Sequence, residues 1–562
     1  MTHDPRATDR LLMSTDHDIA FPILYQHDLE ALELRGHVKD VRRDDVLFAE
    51  GDRNFCFFVV LEGSIEILEH ASGTPHTVTV HGAGEFTGDV DMLTGRAALV
   101  TGRMAEDGRV LQLNTAELRR AVDELPELGE IILKAFLMRR TLLLSGGFEG
   151  VKIVGSRFSA DAHRLRDFAT RNAVPFTWID LEMDEQAEAL LRQFGVPPSA
   201  TPIVIERDGQ WMSNPSITDF AHYLGLAAEP APGHVYDLVI VGAGPAGLAA
   251  SVYAASEGLD VLTLDAVAAG GQAGTSSRIE NYLGFPTGIS GAELTRNALL
   301  QAQKFGACIT VPATVTALRV DGGERAVLLD DNTEVRARCV LVASGVAYRK
   351  IDVAGLADFD GAGVYYAATD MEARLCRGED VVVIGAGNSA GQAIVYLSRY
   401  AKHVHVLVRG TDLGASMSRY LVDRVEGIDN VTIYRETTVS GVEGTKYLDT
   451  VRATTRDGTE HVFHTTSLFL FTGADPKTAW LSRCLELDSK GFVLTGTQLS
   501  PAGTTSDAWR VAGRRPFLLE TSLPGIFAAG DVRSGSVKRV ASAVGEGAMA
   551  VSFVHAHIER PV

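Results

Sequence analysis

Two glycine-rich turns, each between an apolar strand and a helix, constrain the fold of this chain more than any other feature. The first lies in YDLVIVGAGPAGLAASVYAASEGLDVLTLD, where Gly242, Gly244 and Gly247 open a helix and Asp265 ends the next strand. Glycines permit a tight turn and a close backbone approach to pyrophosphate, and the helix N-terminus favours its charge. The spacing predicts a dinucleotide-binding unit in which Asp265 accepts hydrogen bonds from ribose hydroxyls.

The second turn lies in VVVIGAGNSAGQAIVYLSRYAKHVHVLVRG and carries Gly385, Gly387 and Ala390. Its second strand ends at Arg409 instead of a carboxylate. Because an arginine can pair with a 2′-phosphate, this residue favours NADP over NAD. The alternative is that Arg409 is a solvated surface cation.

The length and net charge of the chain limit its number of domains and its possible partners. The 562 residues predict three or four domains. A formal charge of -20 argues against nucleic acid and anionic membranes as partners. We find neither an apolar run of the ~18 residues that cross a bilayer nor a leader segment, and we expect a cytoplasmic protein.

The five cysteines are few and widely spaced, at positions 56, 308, 339, 376 and 484. This spacing forms neither a disulfide framework nor a zinc site, so we expect buried free thiols and no metal.

The N-terminal part shows two different patterns. Residues 46–113 alternate short β-rich runs with turns, and residues 116–143 look helical, which predicts a small β-roll with a helical tail. Residues 151–226 alternate strand and helix patterns, which predicts an α/β unit. Pro- and Gly-containing segments at 145–150 and 227–234 read as linkers.

From residue 235 to 562 the chain resembles the thioredoxin reductase family, in which an FAD domain is interrupted by an NADPH domain. The motifs that carry the resemblance fall in order along the chain: GAGPAG at 242, GGQAGTSSRIENYLGFP at 270, ASG at 343, GAGNSA at 385, FTGADPKTAWL at 471 and TSLPGIFAAGDV at 521.

The resemblance implies two sets of binding residues. Those for FAD are Gly242, Gly244, Pro245, Ala246, Gly247, Asp265, Gly271, Gln272, Asn281, Ala343, Ser344, Gly345, Gly530, Asp531 and Arg539. Those for NADPH are Gly385, Gly387, Asn388, Ser389, Ala390 and Arg409. Asp531 is expected at the ribityl chain of FAD.

The N-terminal segment resembles the cyclic nucleotide-binding β-roll through EGDRNFCFFVVLEGSIEIL and GEFTGDVDMLTGRAALVTG. In that family a glutamate holds the ribose and an arginine about nine residues later holds the phosphate. Here Gly88 and Asp89 stand at the first place, and an ungapped count puts Ala98 at the second. Arg96 could serve only if the turn were shortened. We therefore weigh a cyclic nucleotide site against a docking or regulatory relic.

Residues 151–226 resemble a thioredoxin- or glutaredoxin-type domain, with Thr201 and Pro202 where the cis-proline would fall. Ser156 and Ser159 stand where the redox cysteines would. A serine hydroxyl cannot exchange a disulfide, so we expect a redox-dead domain whose groove could still bind a partner.

Thioredoxin reductases carry a CxxC pair before the second glycine turn, and here those positions hold Ala367 and Asp370. The nearest thiol, Cys376, has no partner at that spacing. Asp370 is a candidate catalytic residue if it lies over the flavin, and otherwise a helix-capping carboxylate in TDMEARL.

The predicted architecture is multidomain: a β-roll with helices, a thioredoxin-like α/β domain, and two Rossmann-like domains of the three-layer ββα type. The boundaries are 1–146 for the β-roll, 147–228 for the α/β domain, 234–350 and 468–562 for FAD, and 351–467 for NADPH.

The predicted function is an FAD-dependent oxidoreductase that takes hydride from NADPH and reduces a non-disulfide acceptor. That acceptor is a ferredoxin-type protein, a quinone, another small molecule or oxygen, with regulation by the N-terminal domain. Two alternatives stay open: disulfide reduction through the thiols of a separate partner, and a redox or cyclic-nucleotide sensor with little turnover. The family resemblance implies a homodimer.

Overall fold

The structure, a computed structural model, describes residues 16–559 except 54, 71–74, 146–149, 185–186, 206–209, 227–229 and 322. The predicted linker at 145–150 lies mostly outside the described residues, and so does the middle of 227–234 up to residue 229. Within the described ranges, four structural units follow along the chain, and the fourth is inserted into the third.

The first unit is the predicted β-roll, in which two antiparallel sheets share one hydrophobic core. One sheet has the strand order β1-β7-β3 and the other β2-β6-β4-β5. Phe57, Phe86 and Phe136 are fully buried in that core. The elements are α1 (Gln26–Glu33), β1 (His37–Val41), β2 (Val46–Phe48), β3 (Phe57–Glu62), β4 (Ile65–Glu69), β5 (His76–His81), α2 (Asp91–Thr94), β6 (Thr101–Met104) and β7 (Gly108–Leu113).

The helical tail predicted over 116–143 is present and is divided into two helices. It consists of α3 (Thr115–Glu124) and α4 (Pro126–Ser145). Leu125 between them has φ -119° and ψ 79°. A residue before proline is disfavoured in the helical region, which explains the break.

The second unit, residues 151–226, is the predicted α/β arrangement. Its sheet has the order β11-β10-β8-β9, in which β8 and β9 are parallel and β10 is antiparallel to both neighbours. The Thr201–Pro202 peptide bond is cis, as predicted. The elements are β8 (Val151–Gly155), α5 (Ala160–Arg171), β9 (Phe176–Asp180), α6 (Ala187–Gln193), β10 (Ile203–Ile205), β11 (Trp211–Ser213) and α7 (Ile217–Tyr223).

The third unit contains the first glycine turn. Strand β12 pairs in parallel with β13 and β17, β17 also pairs with β28, and the full path is β14-β13-β12-β17-β16-β15. The elements are β12 (Val235–Val241), α8 (Pro245–Ser256), β13 (Val261–Leu264), α9 (Gly291–Lys304), β14 (Cys308–Thr310), β15 (Val315–Asp321), β16 (Glu324–Leu329), β17 (Glu334–Val342), and, after the insertion, α13 (Pro501–Thr504), α14 (Asp507–Ala512), β28 (Ile526–Ala528) and α15 (Val540–Ile558).

The fourth unit contains the second glycine turn in a parallel sheet of order β19-β26-β20-β21-β22, beside the antiparallel sheet β23-β24-β25. The elements are β19 (Val364–Tyr365), α10 (Asp370–Leu375), β20 (Asp380–Ile384), α11 (Asn388–Leu397), β21 (His403–Leu407), α12 (Arg419–Glu426), β22 (Val431–Tyr434), β23 (Thr437–Gly444), β24 (Leu448–Thr455), β25 (Glu460–His464) and β26 (Leu468–Leu470).

The predicted boundary at residue 468 needs a correction, because β26 lies between β19 and β20 in the sheet of the fourth unit. The two passages between the third and fourth units instead run side by side as β18 (Val346–Tyr348) and β27 (Ala474–Pro476), which pair antiparallel. The motif FTGADP spans this crossing, so its likeness to the flavin segment placed the boundary a few residues early.

The four units are packed against one another. Leu300 of α9 joins the core of the β-roll, and Arg424 of α12 forms an ion pair of 2.7 Å with Glu280 in the third unit. Short 3-10 turns lie at Pro198–Ala200, Ala273–Thr275, Leu356–Phe359, Ala479–Leu481, Gly496–Gln498 and Gly530–Val532. In the described part of the chain we find no helix with the length and hydropathy of a membrane span.

Candidate active site

A cleft of about 580 Å³ lies between the third and fourth units, within the size range of small-molecule and cofactor sites. Nearly all residues predicted to bind FAD line it: Gly242, Gly244, Pro245, Ala246, Asp265, Gly271, Gln272, Asn281, Ala343, Ser344, Gly345, Gly530, Asp531 and Arg539. The fold thus brings together positions that are almost 300 residues apart in the sequence.

The glycines of the first turn have different structural roles. Gly242 has φ +110°, which disfavours any residue with a side chain. A Cβ on Gly247 would lie 1.8 Å from the carbonyl oxygen of Gly242, so this position is closely packed and does not line the cleft. Gly244 has φ -72°, and a Cβ there would meet only the Cα of Gly271, at 4.0 Å. The space in front of Gly244 therefore opens into the cleft.

The N-terminus of α8 faces this space without a side-chain cap. Gly244 is its N-cap residue and Pro245 begins the helix, so the first backbone N–H groups have no capping side chain. Free helix N–H groups and their positive partial charge suit a phosphate. A dinucleotide pyrophosphate therefore fits this part of the cleft.

Asp265 lines the cleft, and its carboxylate also organises the turn. One oxygen accepts a hydrogen bond from the Ala243 N–H at 2.8 Å, and the other accepts from Val267 and Ala268 at 2.9 and 3.0 Å. These bonds tie the end of β13 to the glycine turn. The predicted contact with ribose would use the remaining acceptor capacity of the same carboxylate.

Asp531 presents a carboxylate for which we find no hydrogen-bond partner within the described residues. Burial raises its pKa, and the Lys538 ammonium acts in the opposite direction. A half-buried acceptor without a partner is suited to hydroxyl donors of a ligand. This observation fits the ribityl chain that the resemblance assigns to Asp531. Arg539 lies exposed at the N-cap of α15.

Several residues that support the cleft were not predicted. Glu546 accepts a hydrogen bond from the Gly530 N–H at 2.8 Å and forms an ion pair of 2.5 Å with Arg533. A Cβ on Gly547 would lie 2.1 Å from the Ala246 carbonyl oxygen, so α15 packs closely on α8. The small residues of GEGAMA in α15 were the available sequence signal for this contact.

The NADPH-side residues fall into two groups. Asn388 and Ser389, at the start of α11, line the cleft together with Tyr348, whose pKa is raised by burial and lowered by the Ser389 hydroxyl. Gly385, Gly387, Ala390 and Arg409 lie outside its lining. Gly387 is the uncapped N-cap of α11, and a Cβ there would meet no atom within 4 Å. Arg409 is exposed, and we find no ion pair for it in the described part of the chain.

The two positions predicted to stand in place of the CxxC pair face different spaces. Ala367 lines the cleft, beside Tyr365 and Tyr366. Asp370 does not line it; the carboxylate begins α10, is half exposed, and forms an ion pair of 2.7 Å with Arg374 one turn later. The N-cap is Thr369, which forms a capping box with Glu372. In this geometry Asp370 has the position of a helix-start carboxylate and does not reach the cleft.

All five cysteines lie in the described ranges, and none of them lines the cleft. Cys376 is fully buried, and burial raises the pKa of its thiol to about 12. Burial likewise raises the pKa of Cys339 to about 12. A thiol with such a pKa is not a nucleophile at neutral pH, so neither residue can replace the missing pair.

Helix α5 of the second unit covers one side of the cleft. His163, Asp167 and Arg171 contribute to its lining, and the Arg171 guanidinium donates to the Gly271 carbonyl oxygen at 3.2 Å. In front of α5, the ring of Phe158 stacks on Tyr447 of the fourth unit with centroids 4.0 Å apart. Local sequence patterns do not predict this placement, because it depends on contacts between units.

Two arginines of α4 bind the residues predicted to hold a cyclic nucleotide. Arg139 donates to the Gly88 carbonyl oxygen at 2.7 Å, and Arg140 forms an ion pair of 2.7 Å with Asp89. Burial raises the pKa of Asp89 to about 6 although Arg140 opposes this. Ala98 is buried with its backbone bonded to Gly51 and Asp52, and Arg96 reaches the second unit instead.

We find no group of three or more metal-ligating side chains in the described ranges.

Two family models match the chain. Residues 236–547, more than half of the sequence, match the pyridine nucleotide-disulphide oxidoreductase family. Residues 38–124 match the cyclic nucleotide-binding domain.

Individual relatives are thioredoxin reductases. The protein from Mycolicibacterium smegmatis is 32% identical over 317 residues, which cover 56% of this chain and 94% of that protein. The crystal structure of T. acidophilum thioredoxin reductase has a TM-score of 0.51 at 29% identity, and the match covers 57% of this chain and 98% of that one. The Lactococcus lactis thioredoxin reductase in its FR conformation also has a TM-score of 0.51, at 26% identity, with 57% and 99% covered.

Proposed function

Since the chain belongs to the pyridine nucleotide-disulphide oxidoreductase family, we propose that this thioredoxin reductase-like FAD and NADPH oxidoreductase passes its electrons to a small non-disulfide acceptor. The chemistry that bound FAD supplies is acceptance of a hydride from NADPH and release of the electrons to that acceptor. The residues of the chain hold the two nucleotides and control what enters the cleft.

Support for hydride transfer comes from the composition of the cleft. The uncapped N-terminus of α8 and the unpartnered carboxylate of Asp531 lie on one side, and the start of α11 lies on the other. Ser389 of α11 lines the same cleft as Tyr348, which follows the FAD-side turn at Gly345. Residues proposed for the two nucleotides therefore meet in a single space.

The observation that carries the proposed acceptor class is the absence of a cysteine from the lining of the cleft in the described part of the chain. Disulfide reduction of the thioredoxin reductase kind needs a thiolate that attacks the oxidised partner. Ala367 has no such group, and the Cys376 thiol is buried and protonated. This supports the proposal that electrons leave directly to a molecule that enters the cleft.

The cover formed by α5 favours a small acceptor over a ferredoxin-type protein. We propose that the second unit is a thioredoxin-like domain without redox activity. Its Ser156 hydroxyl donates to Glu182 at 2.6 Å, and the Ser159 side chain accepts from the Ala162 N–H at the start of α5. Because this end of the domain is packed against Tyr447, it limits the approach of a second protein. A quinone, another small electrophile or oxygen remains accessible.

We propose that the N-terminal cyclic nucleotide-binding domain regulates the oxidoreductase through its contacts with the third unit. Leu300 of α9 packs into its core, and Lys304 lies 3.8 Å from Asp123. A shift of this domain would therefore move α9, which follows the FAD-side loop.

The proposal is tested by an acceptor comparison with purified protein, FAD and NADPH. We expect turnover with menadione and with oxygen, and no turnover above background with a small aromatic disulfide, with or without added thioredoxin. Asp370→Asn tests whether this carboxylate takes part in the reaction. We expect its turnover with menadione to stay within about twofold of that of the unaltered protein, because an exposed ion pair contributes little. Rapid disulfide reduction, faster than menadione reduction, would contradict the proposed acceptor class.

A further inference from the structure

A second cavity, of about 890 Å³, lies where all four units meet. The β-roll contributes Arg96 and Arg140, helix α5 contributes Arg166, α9 contributes Arg296, and α10 contributes Arg374. This cavity adjoins the cleft described above, and the linings of the two share Asp167 and Arg171 of α5 and Thr275 and Ser276 of the third unit.

The cavity carries an excess of positive charge. Seven arginines and three aspartates line it among the described residues, and each of those aspartates pairs with one of the arginines. Arg140 is also paired, with Asp89 and Asp91 behind it. When these two carboxylates are included, the arginines still outnumber the carboxylates by two. Such an excess in a concave site raises the local concentration of anions.

Three of the arginines have no carboxylate partner in the described structure. Arg166 is 8% exposed, its guanidinium lies 4.2 Å from the ring centroid of Trp178, and its Nε is buried without a hydrogen bond. Arg96 donates to the neutral carbonyl oxygen of Asn172 at 3.0 Å. For Arg296 we find no hydrogen bond or ion pair within the described ranges.

Burial lowers the pKa of Arg96, Arg166 and Arg296. A nearby carboxylate acts in the opposite direction on each of them: Asp91 on Arg96, Glu372 on Arg166 and Glu293 on Arg296. The Arg140 guanidinium further lowers the pKa of Arg96 and of Arg296, and the Glu372 carboxylate accepts hydrogen bonds from Thr369. Arg166 is buried, and Arg96 and Arg296 are half-buried. A partly desolvated guanidinium without a directly paired carboxylate is stabilised by a ligand that supplies the opposite charge.

We propose that this cavity binds a small anion with two or more phosphate charges, held by Arg96, Arg166 and Arg296. Guanidinium groups match phosphate oxygens in bidentate geometry, and the ligand's charge would match the excess in the cavity. Because three units supply these arginines, the bound anion stabilises their present arrangement and keeps α5 over the neighbouring cleft. The site goes beyond the proposed function and needs neither flavin reduction nor turnover.

Inorganic pyrophosphate is the probe, measured by calorimetry on the full chain saturated with FAD and NADP⁺, so that the dinucleotide sites are filled. We expect binding by the unaltered protein. Arg166→Gln and Arg296→Gln are each expected to weaken it about tenfold or more, the usual cost of losing a charged hydrogen bond. Arg456→Gln is the matched control, since its side chain is 83% exposed in the fourth unit, and its affinity should be unchanged.

Flavin absorbance and the unfolding midpoint report whether each variant is folded. The inference is overturned if millimolar pyrophosphate does not bind, or if neither substitution weakens pyrophosphate binding. It is also overturned if pyrophosphate binds in the absence of NADP⁺ but not in its presence. Because the readout is binding and not turnover, these results are independent of which acceptor the enzyme reduces.

Discussion

Gly244→Val is expected to give a folded protein without bound flavin. The backbone of Gly244 has φ -72° and ψ -177°, which valine adopts readily before a proline, and a Cβ would meet no atom closer than 4.0 Å. The substitution therefore introduces little backbone strain and no steric overlap with the protein. Its side chain would occupy the space where a pyrophosphate approaches α8, so we expect FAD affinity to fall by about 100-fold or more, as when charged hydrogen bonds are lost. Absorbance of the purified protein and titration with FAD measure the loss.

Gly387→Val is the matched control, because it places the same side chain at the equivalent N-cap of α11. Gly387 has φ -91°, and a Cβ there meets nothing within 4 Å. This variant is expected to stay yellow but to lose flavin reduction by NADPH. If Gly244→Val retained FAD at unchanged affinity, the assignment of the first turn to FAD would be wrong.

Arg409→Glu is expected to lower kcat/KM for NADPH by about 100-fold or more and to leave that for NADH almost unchanged. The residue follows β21, is exposed, and has no ion pair in the described structure, so its guanidinium is available to a 2′-phosphate. The loss combines a charge-assisted hydrogen bond with new repulsion between the glutamate and the phosphate. Initial rates with both coenzymes and one fixed acceptor give the comparison.

Arg456→Glu controls for the change in net charge, because this exposed arginine lies in the same unit beyond β24. Equal loss of activity with NADPH and NADH in Arg409→Glu would show that the residue supports the fold and does not select the coenzyme.

Local sequence patterns determined what could be predicted of the fold. Gly242, Asp265 and the flanking apolar strands specify a βαβ unit by residues close together in the chain, and the matched family confirms the predicted thioredoxin reductase-like part. The cyclic nucleotide-binding β-roll is confirmed in the same way. The thioredoxin-like identity of residues 151–226 stays a prediction, and the structure adds only its α/β topology and cis-proline.

The features that were missed depend on contacts between distant parts of the chain. The position of β26 is decided by its pairing with β19 and β20, where Leu468 lies opposite Val364 and Val382, and not by the nearby flavin motif. The sequence suggests Arg96 only as a cyclic nucleotide ligand, but the packing of the β-roll against the second unit directs its side chain toward the Asn172 carbonyl oxygen. Local periodicity cannot specify how such units pack.

The central claim, that electrons leave without a redox-active protein thiol, is tested most directly by anaerobic titration of the FAD-loaded chain with dithionite. Flavin accepts two electrons and a reducible disulfide accepts two more. Full bleaching of the flavin band with one two-electron equivalent per FAD is the predicted result, with no further uptake. Consumption of a second equivalent would reveal a disulfide in the chain and contradict the proposed direct transfer.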